Sequence, residues 1–201
     1  MAKKRTICVV TGARSEYGLL KSLLARIKES KRLELQLLVT GMHLLPEFGL
    51  TINEIKRDGF RLHTRVSMYT GDSKRPNYYT DALALGIKNF TKAFIKDRPD
   101  ILMVLGDRPE PLAAVLSASF LNIPIAHIHG GDRTEASDLD EYIRHAITRF
   151  SHIHFPATAK AKFRLIRSGE EPWRVHHVGS LGVDSLMSEP RLGKAELYKK
   201  F

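Results

Sequence analysis

Short apolar runs alternate along the chain with stretches in which apolar residues recur every three or four positions. Residues 6–11 form a β-branched apolar run that ends at Gly12, and residues 19–27 carry leucines and an isoleucine at helical spacing. This pattern of strand, turn and helix then repeats. The other predicted strands are residues 33–39, 61–66, 101–105, 123–128, 152–155 and 175–178, and the other predicted helices are residues 48–59, 82–95, 110–120, 140–150 and 158–168.

The alternation determines the expected fold class. Strands that alternate with helices at this rhythm pair in parallel and are joined by right-handed crossovers. The runs at 101–105 and 123–128 are continuously apolar, as expected for strands buried on both faces. The sequence therefore predicts a doubly wound α/β sandwich with about six or seven parallel strands. Ligands of such sheets bind beyond the carboxyl ends of the strands, so the loops directly after each strand are the candidate functional segments.

Length and composition indicate one large folded domain. The 201 residues are 43% hydrophobic and 27% charged, a globular balance, and we expect a domain at residues 1–180 followed by a linker at residues 181–201 that leads into an absent domain. No apolar run is long enough to cross a membrane, and the basic start lacks the apolar region of a secretory signal, so we expect a cytoplasmic protein. The single cysteine, Cys8, is predicted to be buried.

The net charge of +10 favours anionic partners but does not distinguish one class of anion from another. Most of the basic excess lies in the first hundred residues. Such an excess attracts polyanions, which include both nucleic acids and phosphorylated metabolites. Because the chain has no interleaved aromatic residues and no recognised nucleic-acid module, we expect no nucleic-acid partner.

The loops after the first two strands carry candidate anion ligands. Residues 11–18 combine a glycine turn, an arginine and the start of a helix, although they match neither a Walker A nor a GxGxxG sequence. Free backbone N–H groups at a helix start favour a phosphate, and Arg14 can add a bidentate contact. A plain surface turn is an equally good interpretation. His43 follows the second strand, and there a capping or packing role is favoured over ligand contact.

The loop after the fourth long strand is a second candidate site. Gly106 permits close approach of a ligand, and Asp107 and Arg108 stand where the strand ends. Asp107 can orient a sugar hydroxyl or accept a proton, and Arg108 can neutralise a phosphate. The alternative is that Asp107 only caps the following helix.

Acidic residues cluster after the next strand. Five acids and one arginine fall within residues 132–141 of a chain that is basic overall. Like charges at close range raise one another's pKa, and raised carboxyl pKa values suit proton transfer near neutral pH. Some of these acids are also expected to charge the start of the next helix, a role assigned to Asp138 or Asp140. On that helix Glu141, Arg144 and His145 share one face, either as a surface ion-pair group or as an acid–base cluster.

Two pairs of histidines are spaced so that each pair would share one face of a predicted strand. They are His127 with His129 and His152 with His154, and this spacing invites comparison with a metal site. No cysteine ligand or HExxH spacing accompanies them, and histidines on strands are often hydrogen-bonded structural residues. We therefore predict no metal site, and no cofactor is implied.

Taken in order, six segments resemble the hydrolysing UDP-N-acetylglucosamine 2-epimerases. The segments are residues 11–18, 41–44, 106–108, 127–132, 140–148 and 178–184. The resemblance extends from residue 5 to about residue 190, which is about half of a typical member. It implies a Rossmann-like amino-terminal domain, one half of a GT-B type two-domain fold. The second domain of that fold holds most of the UDP and is missing here, and the resemblance also implies a homodimer.

The resemblance also implies roles for individual residues. It makes Arg14 and Arg108 contacts of the diphosphate, and it makes His43, His129 and His145 further substrate-binding residues. The carboxylates that it places around the sugar as catalytic groups are Asp107, Asp132, Asp140 and Glu141.

This chain departs from the family pattern at a few positions. Asp132 stands where many members have glutamate, Pro111 replaces a common alanine, and Ala136 and Ser137 replace a usual glycine. The non-hydrolysing epimerases carry glutamate at the position of His129, so His129 favours the hydrolysing branch.

The reaction that the resemblance implies requires a base, a role that the acidic residues can fill. Because the C2 carbon of a sugar is barely acidic, loss of UDP from C1 has to assist removal of the C2 proton by a carboxylate base. Elimination gives a 2-acetamidoglucal, and addition of water yields N-acetylmannosamine and free UDP. Arginines stabilise the departing diphosphate. The alternative is a catalytically incomplete module that binds a nucleotide sugar or another subunit without turnover.

Overall fold

The structure is a computed structural model that describes residues 3–133, 139–188 and 198. Its strands are β1 (Arg5–Thr11), β2 (Leu33–Thr40), β3 (Thr64–Val66), β4 (Ile101–Leu105), β5 (Ile125–Ile128) and β6 (Ile153–Phe155). Its α-helices are α1 (Arg14–Glu29), α2 (Ile52–Arg57), α3 (Tyr78–Lys96), α4 (Pro109–Phe120), α5 (Leu139–Phe150), α6 (Ala159–Arg167) and α7 (Leu181–Ser188). Short 3-10 helices cover Gly41–Leu44, Pro46–Phe48 and Pro172–Arg174.

The sheet is entirely parallel and has the strand order of a Rossmann fold. Its order is β3-β2-β1-β4-β5-β6, so the chain starts in the middle, runs to one edge, returns beside β1 and continues to the other edge. This confirms the predicted doubly wound α/β architecture. The chain reverses direction across the sheet between β1 and β4, and the loops after these two strands therefore diverge and leave a crevice at the carboxyl edge.

The core lies on both faces of this sheet because successive strand residues point to opposite sides. Cys8 and Val10 of β1 pack with the cluster beneath α3, α4 and α5, whereas Val9 packs with the cluster beneath α1 and α2. The prediction that Cys8 is buried is confirmed, and burial raises the pKa of its thiol. With both faces covered, functional groups are left to the edge of the sheet.

The predicted strand at residues 175–178 is wrong. Only Val175 forms a bridge, to His154 of β6. The segment still follows β6, because the His176 N–H donates to the His154 carbonyl at 2.9 Å and the Val178 N–H donates to the Pro156 carbonyl at 3.3 Å. β6 is three residues long and is followed by Pro156, which has no N–H to return a ladder bond. The segment therefore does not form a strand, and the sheet has six strands among the described residues.

The first part of the predicted linker packs on the domain. Leu181 joins the cluster beneath α1, and the Ser185 hydroxyl donates to the Gly18 carbonyl of α1 at 2.7 Å. The rest of the linker, apart from residue 198, lies outside the described residues, as do Asp138, Ala136 and Ser137, so the boundary at residue 180 stays a prediction. None of the described helices is both long and apolar enough to span a bilayer.

Candidate functional site

A cavity of about 300 Å³ lies in the crevice where the strand order reverses. Its walls come from the start of α1, the loops after β4 and β5, and the start of α5. The lining residues are Ser15, Glu16, Leu19, Leu105, Gly106, Asp107, Arg108, His129, Asp132, Asp140 and Arg144. The structure therefore brings together five predicted site residues: Asp107, Arg108, His129, Asp132 and Asp140. We call this cavity the switch-point pocket.

Arg144 ties the acids of the pocket together. Its guanidinium forms ion pairs with the carboxylates of Asp107 and Glu141, the latter at 2.7 Å, and donates to the carbonyl oxygen of Asp132 at 3.2 Å. The Arg144 side chain is only 8% exposed, so these bonds lie in a partly desolvated region where charge pairing is strong. One arginine thus connects the loop after β4, the loop after β5 and α5.

Arg108 is held by a buried acid, Glu110. Glu110 lies in the first turn of α4 with no exposed surface, and its carboxylate accepts from Arg108 Nε at 3.2 Å and from the Tyr69 hydroxyl at 3.1 Å. The Glu110 side chain passes so close to Gly12 and Gly41 that a Cβ on either glycine would lie 2.6 Å from it. Arg108 is therefore fixed at the pocket rim by a carboxylate that also packs against the loops after β1 and β2.

The start of α1 differs from the predicted anion site. The Glu16 carboxylate accepts from the backbone N–H groups of Gly12, at 2.6 Å, and Ala13, at 3.1 Å. These N–H groups, predicted to be free for a phosphate, are bonded to the protein's own carboxylate. Burial and the neighbouring charge of Glu110 raise the pKa of Glu16 to about 7, and its Oε1 is buried with no hydrogen-bond partner among the described residues.

The two histidines at the end of β5 have different environments. His127 is buried, with Nε2 donating to the Gly106 carbonyl at 2.8 Å and Nδ1 accepting from the Thr148 hydroxyl at 3.2 Å. Burial lowers its pKa to about 3, so the ring is a neutral structural group. His129 lies beyond the strand with φ of +65° and lines the pocket.

The predicted sharing of strand faces is wrong for both histidine pairs. β5 ends at Ile128, one residue before His129, and β6 begins at Ile153, one residue after His152. Each pair therefore has only one member on the strand. In the parts of the chain that the structure describes, no group of three or more histidine, cysteine or acidic side chains is arranged to hold a metal ion.

Four predicted site residues lie outside the pocket lining. Arg14 is exposed and pairs with Glu54 at 3.2 Å, and His43 is buried with its ring nitrogens against the hydroxyls of Thr11 and Thr51. Burial lowers the pKa of His43 to about 4, which fits the packing role that the sequence favoured. The other two are Glu141 and His145, which contact each other at 3.2 Å beside the pocket. Substrate contact by these residues stays a prediction.

Sequence reasoning did not assign Glu16, Glu110 or Arg144 to the site. Glu16 stands at the third position of α1, where acidic side chains reach back to the helix start, and this was its available signal. Arg144 was seen as part of a helix face, but its bond to Asp107 joins positions 37 residues apart and has no local signature. Glu110 had no signal beyond its place in a first helical turn.

Comparisons with known proteins agree with the motif resemblance. A family model described as UDP-N-acetylglucosamine 2-epimerase matches residues 25–201. A Legionella pneumophila protein named UDP-N,N'-diacetylbacillosamine 2-epimerase (hydrolyzing) is 42% identical over 185 residues, which cover 91% of this chain and 48% of the relative. A Neisseria meningitidis protein named UDP-N-acetylglucosamine 2-epimerase is 34% identical over 200 residues, which cover 98% of this chain and 50% of the relative.

Solved structures are similar in fold. An S. aureus MnaA–UDP co-structure has a TM-score of 0.83 at 19% identity and is covered over 51% of its length by 98% of this chain. A Neisseria meningitidis UDP-GlcNAc 2-epimerase bound to UDP-GlcNAc has a TM-score of 0.78 at 21% identity, with 90% of this chain and 48% of that chain covered. The predicted Rossmann-like half of a GT-B type fold is confirmed, and the chain spans about half the length of the relatives that it matches.

Proposed function

The chain belongs to the UDP-N-acetylglucosamine 2-epimerase family, and we propose that it is the amino-terminal half of a hydrolysing member. The proposed reaction converts UDP-N-acetylglucosamine and water into N-acetylmannosamine and UDP. The observation that carries this proposal is the switch-point pocket, where Asp107, Arg108, Asp132 and Asp140 meet in one cavity at the carboxyl edge of the sheet. Sugar nucleotides are ligands that this position in a doubly wound sheet suits.

The proposed chemistry is an elimination followed by an addition. The C2–H bond breaks, its electron pair forms the C1=C2 double bond, and the C1–O bond electrons leave with UDP. Water then adds across the double bond, with its hydroxyl on C1 and a proton delivered to C2 on the opposite face. The barrier falls when cationic groups stabilise the charge that develops on the diphosphate and when a base stands at C2.

The charged groups of the pocket support a division of these tasks. Arg108 stands at the rim with its guanidinium oriented by Glu110, which suits contact with a diphosphate oxygen. Asp132 and Asp140 line the wall that faces the sugar in this proposal. Asp107 is bonded to Arg144, so its role in the proposal is to orient a sugar hydroxyl.

A second candidate substrate is a UDP-N,N'-diacetyl sugar of the bacillosamine type. The relatives from Legionella pneumophila and Campylobacter jejuni, at 42% and 36% identity, carry the diacetylbacillosamine name, whereas the Neisseria meningitidis relative at 34% carries the N-acetylglucosamine name. Inversion at C2 with loss of UDP from C1 is the same chemistry in both. The choice between them depends on groups elsewhere on the sugar ring.

We further propose that a second nucleotide-binding domain, on the same or a partner chain, completes the UDP site. The support is the coverage of about half of each relative. The homodimer and the cytoplasmic location implied by the family resemblance belong to the same proposal. The alternative of a binding module without turnover predicts nucleotide-sugar binding by this chain and no release of UDP.

A turnover experiment in D₂O tests the proposal. The chain is assayed alone and fused to the carboxyl-terminal half of the Legionella pneumophila relative, with each candidate UDP-sugar supplied separately and together. We expect the fusion to release UDP and to yield a 2-epimeric sugar with deuterium at C2. When both UDP-sugars are supplied together, we expect the preferred substrate to be consumed faster.

Matched variants of the fusion sharpen this test. Asp132→Asn is expected to lower turnover by about 100-fold or more because a pocket carboxylate is removed. Asp72→Asn changes an exposed aspartate of the loop before α3 and leaves turnover unchanged. Binding without any UDP release by the fusion supports the binding module instead, and absence of both binding and release contradicts the proposed function.

A further inference from the structure

The backbone at His129 is held in a conformation that non-glycine residues rarely adopt. Its φ is +65°, in the left-handed region, directly after β5. The peptide is fixed there because the His129 N–H donates to the Phe155 carbonyl of β6 at 3.1 Å. Left-handed backbone at a residue with a side chain costs free energy and is retained where the surroundings determine it. Here the turn places an imidazole in the wall of the switch-point pocket.

The imidazole of His129 makes no hydrogen bond to any residue that the structure describes. Its Nε2 is buried without a partner. His129 as a whole is half-buried, and the fully buried histidines nearby are engaged: His127 bonds Gly106 and Thr148 through its two ring nitrogens, and His43 likewise bonds Thr11 and Thr51. A buried polar atom without a partner costs free energy, which is recovered when a ligand supplies the missing bond.

Burial and the surrounding charges together hold the pKa of His129 below its ordinary value. Burial lowers its pKa, and the nearby carboxylate of Asp132 opposes that effect. Arg144 disfavours the protonated ring, whereas Asp107 favours it. The charged or titratable side chains that line the same pocket are Glu16 from α1, Asp107 and Arg108 from the loop after β4, Asp132 from the loop after β5, and Asp140 and Arg144 from α5.

The carboxylates bonded to Arg144 are less suited to removing a proton from carbon. Asp107 and Glu141 both bond that guanidinium, so carboxylate oxygens of each already share lone pairs with a cation. An oxygen that is engaged in this way has fewer lone pairs free to accept a proton from carbon. Among the described residues, none bonds the His129 ring in a comparable way.

We propose that His129 is the base that takes the C2 proton of the sugar nucleotide. This assignment rests on the proposed function and gives the proton transfer to a histidine instead of a carboxylate. The C2–H bond breaks and its proton joins a ring nitrogen lone pair of His129. The electrons of that bond form C1=C2, and the C1–O pair departs on UDP. The imidazolium that forms lies beside Asp132, whose charge stabilises it, and it returns its proton to water.

The test substitutes His129 in the full chain, assayed alone and in the fusion described above. His129→Gln keeps the size and the hydrogen-bonding capacity of the side chain but cannot act as a base near pH 7. His129→Asn is the second variant, because asparagine tolerates left-handed backbone and so separates strain from chemistry. His63→Gln, at an exposed histidine paired with Asp97, is the matched control.

We expect both His129 variants to release UDP about 100-fold more slowly or worse, with the Kd for UDP-N-acetylglucosamine changed less than about threefold. Added imidazole is expected to restore part of the rate to His129→Ala. The wild-type rate is expected to rise with pH through a midpoint below the ordinary histidine value and to lose this limb in His129→Gln. A purely structural role would change binding and stability without removing that limb.

A second readout observes the ring directly. The full chain is labelled with nitrogen-15 in its histidine rings, and His129→Gln identifies the His129 signal by its loss. We expect the His129 signal to shift on addition of UDP-N-acetylglucosamine, whereas the His127 signal stays unchanged. If His129→Gln turns over as fast as the wild type, or if the His129 signal does not shift with the ligand, the assignment of His129 as the base is overturned and the proposed function is not. Absence of turnover in both wild-type proteins overturns the proposed function and the assignment with it.

Discussion

At the scale of the residue, Arg144 holds the pocket acids in their places. It pairs with Asp107 and Glu141 and bonds the backbone of Asp132, all from a side chain that is nearly buried. The guanidinium is suited to this because its donors lie in a fixed plane and keep their charge at all accessible pH values. Replacing it by a neutral group removes the cation that two partly buried carboxylates share.

Arg144→Ala is therefore expected to lower the free energy of unfolding by about 3 kcal/mol, the range found when one partner of a buried pair is removed. Arg26→Ala serves as the control, because Arg26 is exposed and pairs with the exposed Glu29 on the same helix face. Its expected effect is less than about 0.5 kcal/mol. Urea denaturation of the two variants measures the difference, and equal effects would show that the Arg144 bonds contribute little.

Glu16 gives the protein a pH dependence of opposite sign to that of most carboxylates. Its pKa is raised by burial from 4.5 to about 7 in the folded chain. Between these values the folded state holds a proton that the unfolded state has released, so stability falls as pH rises. The loss amounts to about 3 kcal/mol across this window.

Glu16→Gln is expected to remove this dependence. The glutamine amide oxygen keeps the bonds from Gly12 and Ala13 but carries no charge at any pH. Denaturation between pH 4.5 and pH 7.5 is expected to show the variant gaining stability relative to wild type as pH rises, whereas Glu29→Gln, on the exposed end of α1, shows no such trend. A variant that follows the wild-type curve throughout contradicts the raised pKa.

The sequence predicted which residues line the pocket where a position directly after a strand is enough to place them there. Asp107, Arg108 and Asp132 follow buried strands, and the pocket gathers them. Arg14 was assigned to a phosphate because a loop arginine suggests an anion ligand, but Glu16 bonds the N–H groups at the helix start and Arg14 pairs with Glu54. That Arg14 turns outward depends on packing against Glu54, forty residues away, which the local sequence does not encode.

At the scale of the element, four loops converge on the carboxylate of Glu110. Arg108 and Tyr69 bond it, and the backbones at Gly12 and Gly41 approach it so closely that side chains are excluded. These contacts join the ends of β1, β2 and β4 with the segment after β3. The loops of the pocket rim are therefore positioned by one buried acid at the start of α4.

Gly41→Ala tests this convergence. A Cβ at Gly41, where φ is +61°, would lie 2.6 Å from both Glu110 Oε1 and the Gly12 carbonyl. We expect a loss of about 3 kcal/mol, combining backbone strain with the clash. Gly59→Ala is the control, because φ there is +76° but the space around it is open, so only about 1 kcal/mol of strain is expected. If thermal denaturation shows equal losses of stability for the two variants, the Glu110 side chain moves aside at little cost and does not position these loops.

Elements with strong periodicity were predictable, and short terminal ones were not. β1, β2, β4 and the helices α1 and α4 match the sequence pattern because each buries a long apolar face, whereas the helix predicted at residues 48–59 is shortened to α2. The run at residues 175–178 looks like a strand, yet a ladder needs N–H donors on both chains, and Pro156 after β6 has none. The left-handed turn at His129 was equally hidden, because it depends on the carbonyl of Phe155 in a different strand.

At the scale of the whole molecule, the fold creates a crevice at the carboxyl edge of the sheet and directs charged loops into it. Acidic and basic groups from positions 16 to 144 meet there because parallel strands end at the same edge of the sheet. The net charge of +10 attracts anionic ligands to the protein surface. The parallel order was predictable from sequence, but contacts such as Arg144 with Asp107 required the packed helices to be known.

The most direct measurement is a backbone amide NMR titration of the chain with UDP-N-acetylglucosamine. The account predicts shifts concentrated at residues 106–108 and at His129, Asp132 and Glu16, on the wall of the switch-point pocket, and weaker shifts at the exposed lysines of the other surfaces. Shifts that are spread over the basic surface and vanish with added salt, with the pocket signals unmoved, would contradict it.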